Sequence, residues 1–156
     1  MSKSKYKFYM QQCDKKGVVS GSAFDLENDF EGLRYLKCTG LDSIGKPLNL
    51  YTERYHESEE ERVYMPSEEK ITREPIDVVL SLLFVGEERT NTMLRFNNFI
   101  KGGFRKYWDT ARNKSIVFYI DDAITIKEET FKGNNPYIQI DYKLRCIKGY
   151  ADNSNI

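Results

Sequence analysis

A single histidine, His56, leaves little room for the commonest catalytic chemistry. A Ser-His-Asp or Cys-His site would have to be built on that one imidazole, and no G-x-S-x-G elbow or neighbouring cysteine accompanies it. A zinc or other transition-metal site would need further His or Cys ligands. His56 instead lies among Glu53, Glu57, Glu59 and Glu60, which reads as a solvated side chain in a charged loop. The three cysteines, Cys13, Cys38 and Cys146, are odd in number, far apart and without C-x-x-C spacing. They fit neither a zinc site nor a secreted disulfide framework. Three reduced thiols in a protein folded in the cytoplasm are the expectation, with Cys146 a small core residue.

Charge of one sign is lacking too. Lys+Arg and Asp+Glu both number 24, whereas a nucleic-acid binder usually carries a basic excess or stripe. No apolar run approaches the ~18 residues of a membrane-spanning helix, and the opening MSKSKYKFYM has no signal-peptide core. Phosphate-loop spacing is absent around Gly102-Gly103, which reads as a helix stop. Asp121-Asp122 reads as a turn, since adjacent strand residues point to opposite faces and would not converge on one substrate.

What the sequence has is aromatic residues, 11 Tyr and 9 Phe within an apolar fraction of 40%. Tyr and Phe favour pleated, half-buried surfaces. Residues 1–10 give a first strand or a mobile arm, and Leu33 to Thr39 a strand stopping at Gly40. Ile76, Val78, Leu80, Leu82 and Phe84 alternate with a partly apolar second set, predicting a strand over 75–85 buried on one face and half-buried on the other. Thr90 or Thr92 is placed to cap a helix. Met93, Phe96 and Ile100 repeat at helical spacing, and Gly102-Gly103 can end it, so one amphipathic helix is predicted over about 90–102. Beyond it come an extended FRKYWD segment, strands over 115–120 and 123–131, a Gly-Asn-Asn-Pro turn at 133–136, and a strand over 136–147. In that last strand Ile138, Ile140, Tyr142, Leu144 and Cys146 should face the core, opposite Ile76, Val78, Leu80 and Leu82.

Two segments are candidate functional regions. Residues 42–73 form an extended hairpin loop, with brief strands near 48–51 and 62–65. Leu48, Leu50, Tyr51, Val63, Tyr64 and Met65 are too few for a core of their own and too many for a solvated linker. Aromatics and Met are enriched where interfaces bury surface, so Tyr51, Tyr64 and Met65 are the expected contacts. The second region is basic and aromatic, over 101–114. Arg105, Tyr107, Trp108 and Arg112 could stack on and neutralise single-stranded nucleic acid, against the alternative of snorkelling cations at an aromatic core edge.

The order EPIDVVLSLLFVG, TMLRFNNFIKGG, KSIVFYIDD, YIQIDYKLRCI resembles the tail-tube and distal-tail fold of long-tailed bacteriophages, over about residues 33–149. The resemblance implies a β-rich α+β fold: an antiparallel β-sandwich or split barrel with one principal helix. It implies subunits forming rings around a tail channel and an extended loop reaching a neighbour. It carries no catalytic residues. The short chain after the helix leaves no room for a carbohydrate-binding module, so a tube or adaptor subunit is expected and not a receptor binder. The expectation is thus one domain over 1–156, with a polar tail at 150–156. It is a non-enzymatic structural subunit of a phage or phage-like tail, folded in the bacterial cytoplasm and carried in the virion. It needs no cofactor or metal, has no membrane partner, and self-associates as a homo-oligomer alongside other tail proteins. A single-stranded nucleic-acid-binding module is the alternative.

Overall fold

The chain begins with β1 (Phe8–Gln12), β2 (Phe24–Asp25), a single-turn α1 (Leu26–Asp29) and β3 (Leu33–Thr39). A separate pair follows, β4 (Tyr51–Arg54) and β5 (Glu61–Tyr64), then β6 (Ile76–Val85), α2 (Arg89–Ile100), β7 (Arg105–Asp109), β8 (Lys114–Lys132), β9 (Asn135–Cys146) and β10 (Asp152–Asn153). This computed structural model describes residues 3–49, 51–54, 61–64, 66–67, 71–132 and 135–153, without side chains at 51–54, 61–64, 126–132 and 135.

Every strand pairing among the described residues is antiparallel. The strand order is β2-β1-β7-β8-β9-β6-β3, with β10 on β8 and β4-β5 as a second, two-stranded sheet. β8 joins two halves: its start pairs with β7, and from Tyr119 onward it pairs with β9. The sheet turns back on itself there. β1 and β3 lie near opposite ends of the strand order, yet Phe8 of β1 stacks on Tyr35 of β3 across the core. The result is the expected β-rich sandwich.

The registers follow from burial. Ile76 pairs with Cys146, Val78 with Leu144, Leu80 with Tyr142, Leu82 with Ile140 and Phe84 with Ile138, and all ten side chains are buried. A slip of one residue would turn that whole set to solvent. On the outer face Arg145 and Lys143 meet Asp77 at 3.2 and 3.6 Å, and Lys143 lies 3.7 Å from Asp121. Helix α2 covers the inner face: Phe96 and Ile100 are buried, with Met93 and Phe99 packed beside them.

Several local expectations are corrected. Asp121-Asp122 is not a turn. β8 runs through it as one strand with a bulge between Ile120 and Asp122, and the Asp122 carboxylate accepts from the Ala123 N–H at 2.8 Å. Neither Thr90 nor Thr92 caps α2. The N-cap is Glu88, and Thr92 Oγ1 donates to the Glu31 carbonyl at 2.7 Å, tying the helix to the α1–β3 turn. Of the two readings of the N-terminus, first strand or mobile arm, the strand is found over Phe8–Gln12, with Phe8 and Met10 in the core. The tail is drawn in as far as Asn153, because β10 pairs with Ser115 and Lys114. The turn residues Gly133 and Asn134 lie outside the described residues.

Candidate assembly interface

The segment 42–73 leaves the sandwich on a short ladder. Pro47 bridges Arg73, Leu48 N donates to Thr72 O and Glu74 N to Lys46 O, both at 2.8 Å. Two glycines let this root sit against the body. A Cβ at Gly45 would collide with the Glu74 carbonyl, and one at Gly149 (φ +87°) would stand 2.6 Å from the same oxygen. Gly45 N also donates to Gly149 O at 2.8 Å. Further out, β4 and β5 pair in a register that sets Tyr51 opposite Tyr64, Glu53 opposite Arg62 and Arg54 opposite Glu61. The arm is therefore a two-stranded ribbon, with strands at 51–54 and 61–64 where the sequence predicted 48–51 and 62–65. Tyr51 and Tyr64 share one register pair. Met65 and His56 lie outside the described residues.

Beside the root is an open cleft of about 320 Å³. Its wall carries Ile44, Ile71 and Tyr150 with the cations Arg73 and Lys114 and one acid, Asp42. Ile44 is 69% exposed, as Val18, Leu48, Leu94 and Ile124 also are by more than half elsewhere on the described surface. Arg73 Nη1 donates to the Gly45 carbonyl at 3.0 Å. The Lys114 ammonium has no ion-pair or hydrogen-bond partner among the described residues. Sequence reasoning missed this cleft. Its residues come from four separated stretches with no common pattern, and Tyr150 falls in what the sequence presents as a polar tail.

Of the four residues of the basic-aromatic patch, Arg105 and Tyr107 are buried, whereas Trp108 is half-buried and Arg112 exposed. Strand alternation in β7 turns Arg105, Tyr107 and Asp109 inward. Tyr107 is 0% exposed and Arg105 8%. The Arg105 guanidinium is used internally: Nε donates to Phe99 O at 2.9 Å, Nη1 to Phe104 O at 2.8 Å, and the group lies over the Phe99 ring. Trp108 stacks on Tyr9 across β1–β7. Arg112 Nη2 donates to the Cys38 carbonyl at 3.0 Å. The run read as one patch is a strand with two faces, and Arg105 and Tyr107 lie on the inner one.

Inside the sandwich the polar groups are set for stability. Tyr107 Oη donates to Asp109 Oδ2 at 3.3 Å, and Asp109 Oδ1 accepts from Arg112 N at 2.8 Å. Burial pushes the Cys38 thiol and the Tyr35 phenol up to about 12 each, so both stay neutral. A buried thiol raised in this way is a poor nucleophile. Cys13, Cys38 and Cys146 are all buried and unbridged. Glu27 is buried as well. Its carboxylate accepts from Ser4 N at 2.9 and 3.1 Å and from Tyr35 N at 3.1 Å, pinning the N-terminal segment to β3. No group of His, Cys, Asp and Glu among the described residues is arranged to hold a metal ion. No helix of the described residues is long and apolar enough to cross a membrane.

Compared by sequence, the chain matches no family description and no curated protein. Compared by structure, it aligns with the SPP1 Dit protein, described as a paradigm of the hub adsorption apparatus in phages infecting Gram-positive hosts. That match has a TM-score of 0.52, 7% identity and 96% of this chain covered. The fold is one found in phage hub proteins. Two structures of the phage P2 baseplate in its activated conformation, with Ca and with Sr, align at TM-scores of 0.52 and 0.55 and 13% and 16% identity, each over 90% of this chain. The chain spans about half the length of these hub and baseplate chains, 53% and 44%. At these identities the likeness is one of fold, and it agrees with the distal-tail resemblance read from the strand–helix–strands order.

Proposed function

We propose that this chain is a non-enzymatic structural subunit of a phage or phage-like tail, working by self-association through its sandwich and the arm at 42–73. The observation that carries this reading is the fold held in common with hub and baseplate proteins over 90–96% of the chain. The arm supports it: a two-stranded ribbon is only marginally stable alone in water, so a neighbouring subunit is its natural support. Tyr51, Tyr64 and Met65 are the proposed contacts. The subunit folds in the bacterial cytoplasm and is incorporated into the virion with other tail proteins. Sedimentation and light scattering over a concentration series test the reading. Rings or higher homo-oligomers that show a central channel by electron microscopy are expected. A chain that stays monomeric at high concentration overturns it.

A further inference from the structure

The cleft beside the arm root carries charge that the described residues leave uncompensated. Arg73 and Lys114 are both half-buried there, against one acid, Asp42, which is exposed. The Lys114 ammonium has no described partner, and the Arg73 guanidinium makes a single described hydrogen bond, to the Gly45 carbonyl. Half-burial strips water from a cation without supplying an acceptor, and that loss is recovered when an anion enters. A third cation nearby is already neutralised. Lys148 Nζ lies 2.7 and 2.8 Å from the two Asp152 carboxylate oxygens and 4.7 Å from the centre of the Tyr150 ring.

The walls are fixed before any ligand arrives. Lys114 starts β8 and is held in register with Asn153 of β10. Arg73 is held by its bridge to Pro47, and Gly45 N donates to Gly149 O at 2.8 Å, which ties the two sides together. The Ser43 N–H closes a turn on Gly40 O at 3.1 Å, just before Ile44. A site built in advance in this way loses little to ordering when it binds. At about 320 Å³ the cleft lies at the lower end of the range for small-molecule sites, roughly 300–1,000 Å³. We propose that it binds a small organic carboxylate with a compact apolar body. Two positive side chains against one negative leave a net positive charge, which a monoanion balances and a phosphate dianion overshoots. The carboxylate accepts from the Lys114 ammonium and the remaining N–H groups of Arg73. Ile44, Ile71 and Tyr150 cover the apolar body.

Amide chemical-shift titration of the full chain tests this. Hydrocinnamate is the probe; hydrocinnamyl alcohol, its neutral counterpart, and inorganic phosphate are the controls. Saturable shifts are expected at Ser43, Ile44, Lys114 and Ala151, with the alcohol and phosphate each binding about tenfold or more weakly. Lys114→Gln should weaken hydrocinnamate by a similar factor. Ile44→Gln, at an exposed position, serves as a second cleft variant should Lys114→Gln misfold. Lys101→Gln, outside the cleft, should bind as the parent does. Phosphate that binds as tightly as hydrocinnamate would mean an adventitious ion only and overturns the proposal. So do an alcohol that binds equally, shifts that never saturate, or variants at Lys114 and Ile44 that bind like the parent.

Discussion

The rings of Phe8 and Tyr35 stack with centroids 3.6 Å apart and planes 11° from parallel. They join β1 and β3, near the two ends of the strand order, so this contact closes the sandwich. Phe8→Ala is expected to cost about 3–5 kcal/mol, as buried Phe truncations do. A double-mutant cycle with Tyr35→Leu should return a coupling of about 0.5–1.5 kcal/mol. Urea unfolding of the four proteins checks both, and zero coupling would mean the stack is incidental to closure.

Leu144 stands opposite Val78 in the centre of the inner face and is fully buried. Leu144→Ala is expected to lose about 2–5 kcal/mol through lost burial and the cavity left behind. The outward-facing neighbour Lys143→Ala should cost well under half of that, as exposed ion pairs contribute about 0–1 kcal/mol. Similar losses at both sites would contradict the register.

Glu27 is expected to matter more than its place in a one-turn helix implies. Glu27→Ala leaves the N–H groups of Ser4 and Tyr35 without their acceptor, a loss of about 1.5–3 kcal/mol for bonds to a charged group. Hydrogen exchange should show the loss at Ser4 and Tyr35 first. Unchanged protection there would remove the assigned role.

Stability should fall as the solution becomes alkaline. Burial raises the Cys38 thiol from 9.0 to about 12 and the Tyr35 phenol from 10.0 to about 12. It also drives the Tyr107 phenol well above its ordinary value. Above pH ~9 the unfolded chain releases these protons while the folded one holds them. The unfolded state then binds fewer protons and gains in stability. The contribution is whole below pH ~9 and is lost progressively between about 9 and 12. Urea midpoints measured from pH 8 to 11 should decline, and Cys38→Ala should flatten the early part of the decline. A level profile would contradict the assignment.

The arm should change on assembly. Amide hydrogens of residues 51–54 and 61–64 are expected to exchange rapidly in the monomer and slowly in the oligomer, with Tyr51→Ser and Tyr64→Ser together reducing assembly. Equal protection in both states would show that the ribbon belongs to the body of the fold.

Much of this architecture is written in the sequence. Period-two alternation in 76–84 and 138–146 identifies both central strands and their buried faces, because a strand covered on one side must sort its side chains by parity. LRYLKCT ends where Gly40 adopts φ +95°, and the helical repeat Phe96, Ile100 marks the face of α2 that meets the sheet. These are local regularities, and local sequence carries them.

Parity was equally available in FRKYWD, but reading it as an aromatic-basic cluster treated both faces of β7 as one surface. Only the burial of Tyr107 beside Tyr35 and Cys38 of β3, and of Arg105 against Phe99 of α2, shows which face is inside. That Asp121-Asp122 is a bulge and not a turn depends on β9 holding β8 straight through it, with Leu144 opposite Ile120 and Lys143 opposite Asp122. The cleft gathers residues 41–44, 71–73, 114 and 150–151, whose meeting rests on Gly45 and Gly149 closing around Glu74. Alternation and helical spacing record which side of an element is buried; which elements meet is fixed by packing between distant segments, and no local pattern encodes it.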